Sequence, residues 1–226
     1  MQETEKLSAI LDRIKSKLPV SDPNQENTTA PQSSKAERIE KQLKHWGIGD
    51  DCISKRGLWS EKAKELSAYM EKNKSGFFMF GPQGRKKTTC ATAILEYEFT
   101  RRYLDKQPSP YHSMSFVFVP DLLLELQGCF SNKESAADII YRVTNFDFLV
   151  MDGMGEGGKQ TEFVVGSLGT IIHHRHANRL TKRTVITSNY TLQELASDRL
   201  DARISSRIAE MCEEYEFTGE DQRLNR

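Results

Sequence analysis

Apolar and polar positions fall along this chain in blocks of two kinds. Gly76-Phe-Phe-Met-Phe80, Met114-Ser-Phe-Val-Phe-Val119, Phe146-Asp-Phe-Leu-Val-Met151 and Arg183-Thr-Val-Ile-Thr-Ser188 are short apolar runs with the length of buried strands. Between them lie longer stretches that read as helices, over 88–104, about 120–130 and 162–180. Strands that alternate with helices predict an α/β fold with a parallel sheet flanked by helices. Residues 35–75 also read as helical, with Trp46 and Trp59 in the connection between two helices.

The pattern changes at the N-terminus. Leu7, Ile10, Leu11, Ile14 and Leu18 form a narrow apolar stripe at helical spacing. Residues 19–34 are rich in Pro, Ser, Thr, Asn and Gln, with almost nothing to bury, and predict a flexible linker. The expected organisation is a helical segment over 1–18, a linker over 19–35 and one main domain over 36–226. A short tethered helix cannot bury its stripe alone. Two readings stand: it docks on a partner, or it folds back on its own domain.

Composition narrows the picture further. Lysine plus arginine and aspartate plus glutamate number 32 each in 226 residues, so the net charge is zero. A nucleic-acid surface would then be a local patch rather than a property of the whole chain. Cys52, Cys90, Cys129 and Cys212 are scattered with no C-x-x-C pair, which argues against a zinc knuckle or a disulfide framework and suits a reducing cytosol. Residues 1–18 lack the apolar core of a signal peptide, and no run approaches the roughly 18 apolar residues of a membrane helix. The expected location is the cytoplasm.

The densest chemistry lies after the first strand, in Gly81-Pro-Gln-Gly-Arg-Lys-Lys-Thr-Thr89. The phosphate-binding loop pattern is G-x-x-x-x-G-K-[ST]. Gly81, Lys87 and Thr88 hold its spacing, but Lys86 occupies the last glycine's place. Backbone N–H groups of such a loop form an anion site with the following helix N-terminus. Gly81, Gly84, Lys86, Lys87, Thr88 and Thr89 are therefore the candidate nucleotide-binding residues. Lys87 would reach the β- and γ-phosphates, and Thr88 would hold Mg²⁺. A lysine at 86 adds charge that an anion welcomes, at a steric cost.

Two further strands carry polar ends. Phe148-Leu-Val-Met-Asp152 has the form of a strand whose final Asp holds Mg²⁺. The neighbouring place, where many ATPases carry a second acid, is Gly153, and the next acid is Glu156. Thr184-Val-Ile-Thr-Ser-Asn189 puts Asn189 where open α/β sheets bind ligands. Arg203 and Arg207 lie four apart, on one helix face.

In this order, the near-phosphate loop, the strand FLVMD, the run ITSN at 186–189, and RISSRIAEMC at 203–212 with Gly219-Glu-Asp-Gln-Arg223 resemble a known family. Over residues 40–226 the chain is similar to the DnaC/DnaI-type loaders of bacterial replicative helicases and their IstB-type transposition ATPase relatives. The resemblance implies an AAA+ P-loop ATPase that binds ATP and Mg²⁺. It implies Asn189 as sensor of the γ-phosphate or its water, and Arg203 or Arg207, with Arg207 favoured, as a finger reaching a neighbouring subunit's ATP. Arg223 would be a second sensor. The implied partners are a DnaB-type hexameric helicase, gripped by residues 4–18, and single-stranded DNA. Lys86 and Gly153 depart from the family pattern, and the loss of the acid bears most on hydrolysis. The expectation is a site kept for binding, with turnover slow or absent.

Rival functions are a transposition helper acting on duplex DNA, a non-hydrolysing adaptor with a degenerate ATPase fold, and a small-molecule kinase, which explains neither the ITSN run nor the arginine-bearing tail. Two clusters remain. His173, His174 and His176 lack the carboxylates or cysteines of a metal site and read as a polar helix face. Arg175, Arg179, Lys182 and Arg183 form a basic patch, either a contact for single-stranded DNA or a solvated helix end.

Overall fold

The computed structural model describes residues 33–128, 135–156 and 161–218. The apolar stripe over 4–18, most of the linker, and Arg223 lie outside the described residues. Helices α1 (Lys35–His45), α2 (Asp50–Lys55) and α3 (Ser60–Asn73) lead into β1 (Gly76–Phe80). Helix α4 (Lys87–Phe99), β2 (Met114–Phe118), α5 (Val119–Gly128), α6 (Ala136–Thr144), β3 (Phe148–Met154), α7 (Glu162–Ala177) and β4 (Arg183–Ser188) follow. A short helical stretch α8 (Leu192–Glu194), helix α9 (Ala202–Met211) and strand β5 (Cys212–Glu216) complete the described fold.

The five strands form one sheet in the order β2-β3-β4-β1-β5, and every pairing is parallel. Side chains alternate across it. Phe77, Met79, Phe148, Val150 and Val185 pack on one face with α1 to α4, through residues such as Leu43, Met70 and Ile94. Phe78, Leu149, Met151 and Ile186 pack on the other with α5, α6, α7 and α9, through Leu126, Ile139, Leu168 and Ile208. A strand covered on both faces has no solvent side, so it reads as an unbroken apolar run rather than an alternating one.

Several elements differ from the sequence expectation. Strand β3 runs to Met154, because its pairing with β4 shifts register between Met151 and Met154 and then resumes against Ser188. Helix α4 ends as a regular helix at Phe99, and 100–104 form a wider helical turn. Helix α7 stops at Ala177, where Asn178 turns its N–H back to the Arg175 and His174 carbonyls. Helix α6, opened by a reciprocal cap between Ser135 and Asp138, and edge strand β5 are additional elements.

This topology collects the chemistry-bearing segments. Because the strands are parallel, the loop after β1, the end of β3 and the end of β4 all lie at the carboxyl edge of the sheet, where open α/β folds bind ligands.

Candidate nucleotide site

The loop between β1 and α4 turns on residues with positive φ. Gly81 has φ of +135°, and a Cβ there would sit 2.4 Å from the Phe217 carbonyl oxygen, so the loop's first glycine is fixed by the chain leaving β5. Lys86 takes the left-handed conformation, φ +61° and ψ +27°, as the cap residue of α4. A lysine reaches that conformation at a cost of about 1–2 kcal/mol. The loop therefore keeps its turn without the expected glycine and carries the strain in its backbone.

Lys87 is buried under the loop. Its Nζ donates to the Gly81 carbonyl at 2.7 Å, the Pro82 carbonyl at 2.8 Å and Asn189 Oδ1 at 2.9 Å. Thr88 Oγ1 donates to Asp152 Oδ1 at 2.8 Å, which ties the start of α4 to β3. Thr187 Oγ1 donates to the same carboxylate oxygen at 2.5 Å and accepts from the Gly153 N–H at 3.1 Å. Burial pushes the Asp152 carboxyl above the usual range, while the two hydroxyls and Lys87 pull it back. Thr89 is buried with its hydroxyl on Cys52 Sγ at 3.7 Å.

These groups line a cleft of about 350 Å³, closed on one side by Asp51, Cys52 and Lys55 of α2. Arg85 also lines it, and among the described residues its buried Nε and Nη1 have no hydrogen-bond partner. Buried guanidinium donors without an acceptor suit an arriving anion. Thr88 Oγ1 and Asp152 Oδ1 offer the hard oxygen donors that Mg²⁺ prefers. The residues present thus fit a magnesium–phosphate ligand, with Thr88 and Asp152 toward the metal.

The end of β3 turns back on itself. Gly153 and Gly155 have φ of +81° and +83°, and the Glu156 N–H bonds back to the Gly153 carbonyl at 3.1 Å. This turn folds Glu156 over the strand end, where its Oε1 accepts from Asn189 Nδ2 at 2.6 Å. Thr187 was passed over in sequence, although it stands two residues before Asn189 in the same run.

The remaining candidates separate. Arg203 is exposed and pairs with Asp201, its Nη2 2.9 Å from Oδ2, and this pairing holds the Asp201 carboxyl down at about 2. Arg207, one turn on, is half-buried and makes no ion pair among the described residues. The basic patch requires a correction. Arg175 is fully buried, with Nε on Thr184 Oγ1 at 2.7 Å and its terminal nitrogens on the Phe146 carbonyl at 2.8 Å and the Arg183 carbonyl at 2.6 Å. Arg183 is also buried, with Nε on the Met70 carbonyl at 3.3 Å. Both guanidiniums satisfy interior carbonyls and are closed to a DNA backbone. Arg179 and Lys182 retain exposure, and Lys182 Nζ donates to the Thr144 carbonyl at 2.8 Å. They sit where α7 passes into β4, at the edge of the sheet opposite the phosphate loop, so Arg85 and Lys86 do not extend that patch. His173 and His174 are exposed, and His176 Nε2 lies 2.9 Å from Glu210 Oε2. No group of side chains among the described residues could hold a metal ion in the manner of a His/Cys/Asp/Glu cluster.

No protein-family model matches the chain, and no curated protein matches it in sequence. Solved structures nevertheless share its fold. The DnaC helicase loader superposes with a TM-score of 0.55 at 24% identity, over 70% of this chain and 89% of that one. DnaI gives 0.55 at 24% identity, over 71% and 82%. AMPPCP-bound DnaA from Aquifex aeolicus gives 0.56 at 17% identity, over 70% of this chain and 44% of that one. The chain has the fold of these structures, a parallel five-stranded sheet flanked by helices. It shares that fold with the helicase loaders its sequence resembles.

Proposed function

We propose that this chain binds ATP with Mg²⁺ and serves DNA replication by loading a DnaB-type hexameric helicase onto single-stranded DNA, with slow ATP turnover. The observation that carries the reading is the 2.8 Å bond between Thr88 and Asp152, with Lys87 beside it. It joins the start of α4, directly after the loop, to the end of β3, although the loop lacks its last glycine. Thr88 and Asp152 would hold Mg²⁺, which would supply positive charge against the phosphates. Lys87 would then meet the γ-phosphate, and Arg85 would supply further positive charge.

The likeness in fold to the DnaC helicase loader supports the replication role, and the sequence resemblance extends through the arginine-bearing tail. The apolar stripe of residues 4–18 would grip the helicase, while Arg179 and Lys182 are the accessible cations left for single-stranded DNA. Arg207 would reach a neighbouring subunit's nucleotide, and Arg223 the nucleotide of its own. Nucleotide occupancy alone can bias an assembly between two states, so a loader does not require fast hydrolysis. No helix among the described residues is long and apolar enough to cross a membrane.

Equilibrium binding of a fluorescent ATP analogue with Mg²⁺ tests the first half. The native chain should bind and Lys87→Ala should not; absence of binding by the native chain would leave an adaptor with a degenerate ATPase fold. Co-elution with a hexameric helicase, lost on deletion of residues 1–18, tests the second half. A preference for duplex DNA without helicase binding would favour the transposition helper instead.

A further inference from the structure

We infer that Glu156 is the carboxylate that positions and deprotonates the attacking water, in place of the acid missing at Gly153. The inference rests on the ATP-binding reading above. Two observations carry it. First, the positive-φ turn at Gly153 and Gly155 folds the chain back, so that Glu156 lines the same cleft as Lys87, Thr88 and Asp152. Second, a Cβ placed on Gly153 would lie 3.3 Å from Glu156 Oε2. The Glu156 carboxylate thus stands beside the point from which an acid at 153 would grow. Asn189 holds it there through the 2.6 Å bond to Oε1, leaving Oε2 without a bond to that amide.

The same geometry accounts for glycine at 153. Any side chain there would meet Phe118 Cε2 at 3.1 Å as well as Glu156, and would have to adopt φ of +81°. Glycine permits the strand to bulge, and the bulge delivers the distal acid. In the step, water oxygen forms a bond to the γ-phosphorus of ATP while the bond from that phosphorus to the β–γ bridging oxygen breaks. The water proton passes to the Glu156 carboxylate, and ADP and inorganic phosphate leave.

The test uses the full-length chain with ATP, Mg²⁺ and a single-stranded oligonucleotide, and measures three things: affinity for a fluorescent ATP analogue, phosphate release, and the nucleotide retained on the protein after rapid filtration. Glu156→Gln should bind within about threefold of native, release phosphate roughly tenfold or more slowly, and retain ATP where the native chain retains ADP. Glu156→Asp should recover part of the rate. A merely structural Glu156 would instead lower affinity and folding stability together. An unchanged rate in Glu156→Gln overturns the inference. So does a native chain that binds ATP but leaves it uncleaved, which spares the binding reading. A native chain that binds no ATP overturns that reading itself, and this inference with it.

Discussion

Asn189 bridges the phosphate-loop lysine and a carboxylate, its Oδ1 accepting from Lys87 Nζ at 2.9 Å and its Nδ2 donating to Glu156 Oε1 at 2.6 Å. The γ-phosphate would compete with Oδ1 for Lys87, so nucleotide arrival would loosen one end of the bridge while the other still holds Glu156. Asn189→Ala should therefore leave affinity for the fluorescent analogue within about threefold, because Lys87 keeps its two carbonyl partners and loses a competitor. It should slow phosphate release by roughly tenfold or more, since the acid loses its support. A large loss of affinity with an unchanged rate would mean that Asn189 serves binding alone.

Lys86 invites a stability measurement. Its left-handed backbone costs about 1–2 kcal/mol for a lysine, whereas glycine adopts it freely but loses about 0.5–1 kcal/mol more conformational entropy on folding. Lys86→Gly should therefore stabilise the chain by roughly 0.5–1 kcal/mol in urea denaturation without nucleotide. Lys86→Ala keeps a Cβ in the same conformation and should give no such gain. Equal effects of the two would show that the lysine charge, not the backbone, sets the difference.

Glu98 makes stability depend on pH. It is fully buried between Ser109 Oγ, 3.2 Å from Oε2, and Arg101 Nη1, 3.8 Å from Oε1, with Ser67 also donating to it. Burial pushes its carboxyl above the usual glutamate range, and Ser67 and Arg101 recover only part of that shift. The folded chain thus holds this proton more tightly than the unfolded chain. Its stabilising contribution is complete below the ordinary glutamate value and is lost as pH rises through the folded value. Glu98→Gln should stabilise at neutral pH by on the order of 1 kcal/mol, and the gain should vanish below about pH 4. Urea titrations of both chains across that range check it. A gain that persists in acid would assign the effect to packing.

The sheet was legible because its central strands are apolar on both faces, and the strand–loop–helix unit over 76–99 because an apolar run passes through a glycine-bearing turn into a helix. Strand β5 was not: its sequence is CEEYE, among the described residues it pairs only with β1, and its charged residues are exposed. Glu156 was visible as an acid but not as a site residue, since only the register shift and the two positive-φ glycines reveal its return to the cleft. Arg175 was misread as a surface cation because it stands in the polar run HHRHANR. Helical spacing held the correction: Val164, Leu168, Ile171 and Arg175 share a face, and that face is buried.

That buried arginine carries the last prediction. Burial draws the Arg175 guanidinium down to about 10, so it remains charged at neutral pH with interior carbonyls and the Thr184 hydroxyl as its hydrogen-bond partners. These bonds tie α7 to the start of β4 and to the segment entering β3. Arg175→Met removes the charge but leaves the Phe146 and Arg183 carbonyls without their donor, at about 1–3 kcal/mol for each such group. The expected loss in urea denaturation is roughly 3 kcal/mol. Arg175→Lys should recover only part, because one ammonium cannot reproduce the fork that spans these acceptors. Lys182→Ala, which loses a half-exposed bond, should cost under about 1 kcal/mol. If single-stranded DNA is held at this edge of the sheet, Lys182→Ala and Arg179→Ala should weaken its binding and flatten the salt dependence. Arg175→Met should change DNA affinity only as far as it unfolds the chain. A specific loss of DNA affinity in folded Arg175→Met would place that arginine at the surface after all.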